Sequence, residues 1–257
     1  MKPFLLIVSL FLTFAAFGQA DSGFTNKAEA KNLMVNGKKE GKWVEYLDDD
    51  KNGDSLIPAN SINAPFYRLT VYKKGKQFGI VRTYYTGEVI MQEAHYINGK
   101  KNGVESNYDL GILMNEIPYK NDQIDGVVRY YYGGRVVSKE TPYKNGKIDG
   151  VEMEYDSQGE LVQETPYSND SLNGVVRNYY SQGKLRYEKT YIHGKEVGFE
   201  KWYWENGNLR LEIYYPDSGV GDTREYYMNG KLKRETSYPF GNVPDIKIYD
   251  SVGNRTN

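Results

Sequence analysis

Residues 143–167 read YKNGKIDGVEMEYDSQGELVQETPY, and most of the chain consists of copies of this stretch. Its opening tyrosine recurs in steps of 24, 23, 24, 24, 24, 24 and 23 residues, at Tyr72, Tyr96, Tyr119, Tyr143, Tyr167, Tyr191, Tyr215 and Tyr238. A fixed short period indicates a tandem-repeat architecture in which each unit packs on its neighbours in sequence.

Each unit contains two runs that are rich in β-branched and aromatic side chains, and each run is closed by a segment that contains glycine. Runs of this kind, bounded by Asn-Gly or Gln-Gly, predict β-hairpins rather than helices. Hairpins added end to end predict an all-β protein. Its tandem hairpin repeats of about 24 residues form an elongated, twisted antiparallel meander.

The unit at 143–167 also predicts which positions form turns and which are buried. Glycine reaches positive φ without a Cβ clash, so the turns are assigned to Gly146, Gly150 and Gly159. Four recurrent apolar positions fall at even spacing: Val151, Tyr155, Leu161 and Tyr167. Strand alternation predicts that these four side chains share one buried face and that the other face is wet.

The periodicity and composition divide the chain into segments. Residues 1–20 combine Lys2, an apolar run and small residues at 18–20, which is the pattern of a cleaved signal peptide without a later transmembrane span. Residues 21–33 are polar and are interpreted as a linker. The repeat domain is predicted to occupy residues 34–257.

Two parts of the repeat domain depart from the period. Met34 and Tyr72 are 38 residues apart, 14 more than one period of 24, and this places an insertion within residues 47–66. Residues 238–257 form a degenerate last unit, in which Pro239 and Pro244 interrupt regular strand pairing.

Charge and cysteine content restrict the classes of function. Without residues 1–20 the chain has 32 basic and 34 acidic residues, a balance that favours neither a nucleic-acid partner nor an anionic membrane surface. The absence of cysteine excludes disulfides and thiol chemistry. An exported protein located in the periplasm, at the cell surface or outside the cell is expected.

The side chains that could carry catalysis are few or have a simpler role. The two histidines, His95 and His193, fall at different places in their units and are interpreted as strand or turn surface residues. The glutamates that recur late in each unit are expected to pair across strands with Arg82, Arg129 and Arg177. No catalytic residue and no cofactor is predicted, and the protein is expected not to be an enzyme.

One segment resembles a metal-binding loop. Asp48, Asp50 and Asn52, followed by Gly53, match the first half of a calcium loop. The acid required at loop position 12 is replaced by Ala59. The segment is therefore interpreted as an acidic turn that opens the insertion, with calcium binding as the alternative.

Exposed aromatic residues are the candidates for partner binding. The positions opposite the predicted buried face include Tyr130, Tyr132, Tyr180, Trp202 and Trp204. Tyrosine and tryptophan are enriched at protein-binding hot spots, so a protein partner is the first hypothesis. A glycan stacked on these rings and simple packing across strands are the alternatives, and a purely structural envelope component is a further one.

The pattern Tyr-x-x-Gly-Lys-x-x-Gly-x-x-x-x-Tyr-Tyr-x-x-Gly resembles the MORN-repeat variant, and the resemblance extends from about residue 34 to the end of the chain. Similar chains are labelled YwqK-type antitoxins. The resemblance implies a non-enzymatic scaffold for protein–protein contact at the bacterial envelope, with an antitoxin-like or immunity-like role as a more specific expectation. Glycan or cell-wall binding is the alternative function.

Overall fold

The computed structural model describes residues 23–48, 56–57, 64–216, 221–238 and 243–256. The strands of these residues form one open sheet, and each of their pairings is antiparallel. The prediction of an all-β meander of tandem hairpins is confirmed. The two 3-10 helices of the described residues are Lys27–Glu29 and Ser181–Gly183.

The strands follow one another in chain order, and they are β1 (Leu33–Val35), β2 (Lys38–Leu47), β3 (Leu56–Ile57), β4 (Phe66–Lys73), β5 (Lys76–Tyr85), β6 (Ile90–Ile97), β7 (Lys100–Asp109), β8 (Ile112–Lys120), β9 (Gln123–Ile124), β10 (Gly126–Tyr132), β11 (Val136–Lys144), β12 (Lys147–Ile148), β13 (Gly150–Tyr155), β14 (Leu161–Ser168), β15 (Ser171–Leu172), β16 (Gly174–Tyr179), β17 (Leu185–Ile192), β18 (Lys195–Tyr203), β19 (Leu209–Tyr215), β20 (Thr223–Tyr226), β21 (Leu232–Ser237) and β22 (Asp245–Ile248). The two-residue strands β9, β12 and β15 are each separated by one residue from the strand that follows. Each of these short strands and its successor pair with the same preceding strand.

One row of hairpin turns has two successive residues with positive φ, which is the signature of the type I′ turn. These pairs are Asn36-Gly37, Lys74-Gly75, Asn98-Gly99, Asn121-Asp122, Asn145-Gly146, Asn169-Asp170 and His193-Gly194. From Gly75 onward, the second residue of the pair donates its N–H to a carbonyl of the preceding unit, as Gly99 does to Gln77 at 2.8 Å. The turns therefore lie side by side along one border of the sheet, which we call the turn edge.

Gly150 is predicted to form a turn, but it lies at the start of β13, opposite Tyr167, with φ of 133°. The N–H of Asp149, just before it, donates to the carbonyl of Pro142 at 3.0 Å. A Cβ on Gly150 would lie 2.8 Å from Pro142 Cγ. A strand irregularity with a close approach to proline requires this glycine, so its assignment to a turn is wrong.

The pairing registers show which side chains share a face. Between β13 and β14, Glu154 lies opposite Gln163 and Tyr155 opposite Leu161, so Val162 is an extra residue, a β-bulge. The bulge keeps Tyr155 and Leu161 on the side of Val151, which we call face A. The opposite side, which carries Glu152, is face B.

The predicted set of four buried side chains is therefore split between the faces. Tyr167 lies opposite Gly150 and so belongs to face B, because one extra residue reverses the alternation along β14. Val151 is 41% exposed, whereas Glu152 is 8% exposed. The prediction that these four apolar positions form one buried face is wrong, and a buried position that recurs in every central unit lies on the face that was expected to be wet. It is occupied in turn by Val81, Glu105, Val128, Glu152, Val176 and Glu200.

Residues 23–33, interpreted as part of a linker, pack on the first strands in the structure. Phe24 is 5% exposed and forms a cluster with Tyr67, Leu69 and Tyr84. The carbonyl of Phe24 also accepts a hydrogen bond from the guanidinium of Arg82 at 3.4 Å. This segment covers face A at the N-terminal end of the sheet and supplies the apolar cluster there.

The bounds of the predicted insertion and of the last unit fall at strand ends. β2 ends at Leu47 and β4 begins at Phe66, and β3 pairs with β2 between them. In the last unit β21 and β22 pair through Ser237 and Asp245, on either side of residues 239–242, which lie outside the described residues. The signal-peptide assignment, residues 1–20, also lies outside them.

Candidate functional site

Face A carries a continuous ladder of tyrosine, glutamate and arginine side chains. The hydroxyl of Tyr155 donates to Glu140 at 3.1 Å, and that carboxylate also accepts from Arg129 at 2.8 Å. The same fifteen-residue contact recurs at Tyr131–Glu116, Tyr179–Glu164 and Tyr203–Glu188. Burial, followed by the neighbouring carboxylates, raises the pKa of Tyr155 and of Tyr179 to about 12.

The cross-strand pairing predicted for the recurrent glutamates is confirmed. Arg82 contacts Glu93 at 2.6 Å, and Arg177 lies 3.6 Å from Glu164 and 3.9 Å from Glu188. Arg224, which was not predicted, repeats this arrangement with Glu235 at 2.9 Å. These carboxylates are thus held by arginine and tyrosine, which is a structural role.

Face B carries buried carboxylates in alternate units, each paired with a lysine. Glu200 accepts hydrogen bonds from Trp202 Nε1 at 2.6 Å and Tyr215 Oη at 2.9 Å, and Lys189 Nζ lies 3.0 Å away. Burial alone would raise the pKa of Glu200, but these hydrogen bonds hold it below its ordinary value. Glu105–Lys101 and Glu152–Lys139 are pairs of the same kind with the glutamate at the same place in its unit, and Glu45–Lys39 is a further pair with its glutamate two residues further along the first unit.

The alternation of these residues shows a second period of two units. Where the residue nine places after the opening tyrosine is valine, as in Val128 and Val176, the next residue is arginine and belongs to the ladder on face A. Where it is glutamate, as in Glu152, the charge is neutralised on face B. The sequence contains this alternation, but the 24-residue tyrosine period conceals it.

Two of the predicted partner-binding residues are well exposed on face B. Tyr130 is 43% exposed and Tyr132 is 46% exposed. Tyr130 lies between Asn115 of β8 and Lys139 of β11 in the strand register. An aromatic ring with an amide and a cation beside it is a surface that can bind another molecule.

The aromatic residues that follow the central strands also have a structural contact. Tyr132 donates its hydroxyl to the carbonyl of Tyr155 at 3.3 Å, and Tyr180 donates to that of Tyr203 at 3.0 Å. Trp204 Nε1 donates in the same way to the carbonyl of Tyr226, at 3.3 Å. These side chains join each unit to the next, and Tyr180 and Trp204 are half-buried.

Trp202 is half-buried and anchored rather than freely presented. Its ring packs against Tyr187, with centroids 4.8 Å apart, and its Nε1 is bound to Glu200. The predicted set of five aromatic residues is thus divided. Tyr130 and Tyr132 form one exposed pair, and Tyr180, Trp202 and Trp204 lie further along the sheet with much of their surface covered.

A row of amides also crosses face B. Gln92 donates to Asn107 at 2.9 Å, and Asn107 donates to Asn115 at 2.8 Å. In a later unit, Asn178 lies between Gln163 and Tyr187, and its buried Oδ1 has no hydrogen-bond partner in the described part of the chain. The periodicity pointed to the aromatics of this face but not to its amides.

The candidates for metal binding and acid–base chemistry occupy separate places. Asp48 follows the end of β2, while Asp50 and Asn52 lie outside the described residues. Over the described ranges no three His, Asp or Glu side chains are grouped so as to hold a metal ion. His95 packs beside Gly103 in β6 and β7, and His193 occupies an exposed turn.

The turn edge has a charge asymmetry that the near-neutral total conceals. The turn segments of the first three units carry seven lysines and one glutamate, a net charge of +6, in residues 34–40, 72–78 and 96–102. The equivalent segments of the next four units carry four lysines and five acidic residues, a net charge of −1. These segments are residues 119–125, 143–149, 167–173 and 191–197. An open depression of about 590 Å³ lies between the second and third turns and is bordered by Gln77, Asn98 and the two lysines Lys76 and Lys100.

Comparison with known families identifies the repeat. The family described as the MORN repeat variant matches residues 148–169, 172–193, 197–215 and 220–238. The predicted resemblance is therefore confirmed for four tandem MORN-variant repeats between residues 148 and 238, and for residues 34–147 and 239–257 it stays a prediction. No curated protein matches the chain. No helix in the part of the chain that the structure describes is long and apolar enough to cross a membrane.

Proposed function

We propose that this MORN-repeat protein is an exported, non-enzymatic scaffold that binds a protein partner at the bacterial envelope. The observation that carries the proposal is the exposed pair Tyr130 and Tyr132 on an open sheet, beside Asn115 and Lys139. Repeat proteins commonly use extended surfaces of this kind for protein contact. Exposed tyrosine supplies apolar area and a hydrogen-bonding hydroxyl at small cost in side-chain entropy.

The non-enzymatic part of the proposal is supported by the roles of the recurrent ionisable residues. Glu140 is engaged by Arg129 and Tyr155, and Glu200 by Lys189, Trp202 and Tyr215. Carboxylates held in this way stabilise strand pairing. They are therefore assigned to the fold and not to proton transfer.

Export is proposed from the N-terminal sequence, and it has its own test. N-terminal sequencing of the protein recovered from the envelope or medium should give Asp21 as the first residue. Recovery of a chain that begins at Met1 from the cytoplasm would overturn this part. In an antitoxin-like or immunity-like role the partner would be a toxin, and co-expression should then restore growth of toxin-producing cells.

The docking proposal is tested by affinity capture from an envelope extract, with the chain from residue 21 as bait. Replacing both Tyr130 and Tyr132 by alanine should reduce recovery of the captured protein by at least roughly tenfold, because hot-spot tyrosines each contribute about 2 kcal/mol or more. Tyr214→Ala is the matched control, since Tyr214 is 40% exposed but lies on face A, opposite Phe199. Equal recovery with all three baits would refute docking at Tyr130 and Tyr132.

Binding of a glycan is the second candidate function, and the amide row favours it. Amide side chains beside aromatic rings can bind sugar hydroxyls, and Asn178 lies beside Tyr187 in the strand register. This function predicts retention on purified cell-wall polysaccharide that is lost in Trp202→Ala and Asn178→Ala. Retention on polysaccharide without capture of any protein would replace the first proposal by this one.

A further inference from the structure

The turn edge of the first three units carries a cluster of lysines without acidic partners. Lys39 and Lys101 are paired with the buried carboxylates of Glu45 and Glu105. This pairing leaves a charge of +4 on the turn edge of these three units. Its exposed lysines are Lys38, Lys73, Lys74, Lys76 and Lys100, and none of them takes part in an ion pair of the described residues.

The geometry of the turns aligns three of these lysines. A Cβ on Gly75 would lie 3.3 Å from Lys38 Cβ, and one on Gly99 would lie 3.5 Å from Lys76 Cβ. The stems of Lys38 and Lys76 therefore each cover the turn glycine of the next unit. Lys38, Lys76 and Lys100 hold equivalent places after successive turns and form a row along the border of the sheet.

The row ends where the charge changes sign. In the fourth unit the second turn residue is Asp122, whose carboxylate accepts the backbone N–H of Lys101 at 2.7 Å. The residue that follows is Gln123 in place of a lysine. The excess of positive charge is thus confined to the first three turns, and the depression between Lys76 and Lys100 lies at its end, with Asp122 of the fourth turn on its border.

The spacing of the row restricts the ligand. Equivalent residues of adjacent hairpins are separated by two strand spacings, about 9.6 Å. A polypeptide in the extended polyproline II conformation has three residues per turn and advances about 3.1 Å per residue, so every third side chain lies on the same side, about 9.3 Å from the last, and would meet the next lysine. We propose that the turn edge binds an extended acidic segment of a partner protein, with carboxylates at every third position facing Lys38, Lys76 and Lys100. The proposal follows from this match in spacing, and it rests on the proposed function for the assumption that the partner is a protein.

The test uses the purified chain from residue 21 and a fluorescent peptide made of Gly-Ser-Glu triplets. An isomer of the same length and composition, with its glutamates contiguous, serves as the comparison. The spaced peptide should bind more tightly in fluorescence anisotropy, and its affinity should fall as salt rises, because exposed ion pairs are screened. Equal affinity of the two isomers, or no binding of the spaced one, would overturn the proposal.

Matched variants locate the binding. Replacing Lys76 and Lys100 together by alanine should weaken binding roughly tenfold, since the change removes two exposed ion pairs that each contribute modestly. Lys147 and Lys195 hold the same place in later units and are equally exposed, so their double replacement should change affinity less than about twofold. Equal losses in both double variants would show that binding is not specific to the first three turns and would overturn the proposal.

Two further probes separate the classes of anion. Vesicles rich in anionic phospholipid and a carboxylated polysaccharide should bind more weakly than the spaced peptide, and tighter binding of either would overturn the assignment to a protein segment. The outcome is independent of docking at Tyr130 and Tyr132. If the spaced peptide does not bind while capture of the envelope protein still depends on Tyr130 and Tyr132, this inference is disproved and the proposed function stands.

Discussion

The hydroxyl of Tyr155 donates a hydrogen bond of 3.1 Å to the carboxylate of Glu140, fifteen residues earlier in the chain. The contact joins one hairpin to the next, since Tyr155 closes β13 and Glu140 lies in β11. Repetition of this contact makes face A a polar ladder whose side chains are half-buried. The stability of the repeat array therefore depends on hydrogen-bonded carboxylates as well as on apolar contacts.

Removing one rung of this ladder should be measurable. Tyr155→Phe keeps the ring but leaves one oxygen of Glu140 without its donor, and we expect the free energy of unfolding to fall by about 1–2 kcal/mol. Urea unfolding followed by circular dichroism measures the change. The control Tyr130→Phe, at an exposed position, should shift it by less than about 0.5 kcal/mol. Similar losses in both variants would show that the ladder adds nothing specific.

Gly150 should tolerate no side chain. Gly150→Ala places a Cβ 2.8 Å from Pro142 at φ of 133°, and strain together with the clash should destabilise the protein by about 2–4 kcal/mol. Gly146→Ala, with φ of 80° and no atom within 4 Å of the new Cβ, should cost about 1–2 kcal/mol. Adding Pro142→Ala to Gly150→Ala should restore part of the loss. If no part is restored, the proline contact is not the cause.

The buried carboxylate of Glu200 should matter more than an exposed one. Among the described residues, Glu200→Gln leaves the Lys189 ammonium with Glu196, at 2.9 Å, as its remaining acidic partner, and it removes a charged acceptor from Trp202 and Tyr215. We expect a loss of about 2–3 kcal/mol in the free energy of unfolding, measured in urea. Glu205→Gln, at an exposed turn, should lie within about 0.5 kcal/mol of the parent protein. If the loss of unfolding free energy in Glu200→Gln is as small as that in Glu205→Gln, the assignment of Glu200 as the acceptor for Lys189, Trp202 and Tyr215 is contradicted.

The tyrosine ladder predicts sensitivity to alkali. Burial, then the neighbouring carboxylates, raises the folded-state pKa of Tyr155 and Tyr179 to about 12, against about 10 in an unfolded chain. A raised pKa stabilises the fold fully below pH 10, and this contribution is lost as the pH rises from about 10 to about 12. Circular dichroism and phenolate absorbance, recorded in parallel, should change together in that interval. Complete phenolate formation near pH 10 with an unchanged sheet signal would refute the ladder.

Spacing alone could predict two features of the candidate site, because strand alternation and cross-strand neighbours follow from a regular register. These features are the exposure of Tyr130 and Tyr132 and the pairing of Arg82, Arg129 and Arg177 with glutamates. The anchoring of Trp202 to Glu200 could not be predicted in this way. It depends on which side chains of adjacent strands meet on face B, and therefore on the bulges.

The sequence by itself determined the hairpin, its period and its type I′ turns, because asparagine and glycine at successive turn positions select positive φ through local sterics. The tertiary structure alone decided which face is buried. One extra residue, Val162, reverses the alternation and places Tyr167 beside Glu152. It also decided the place of Phe24, which packs against Tyr67 and Tyr84, more than forty residues away in the chain. Local chemistry sets the shape of one unit, whereas burial depends on register and on contacts between distant segments.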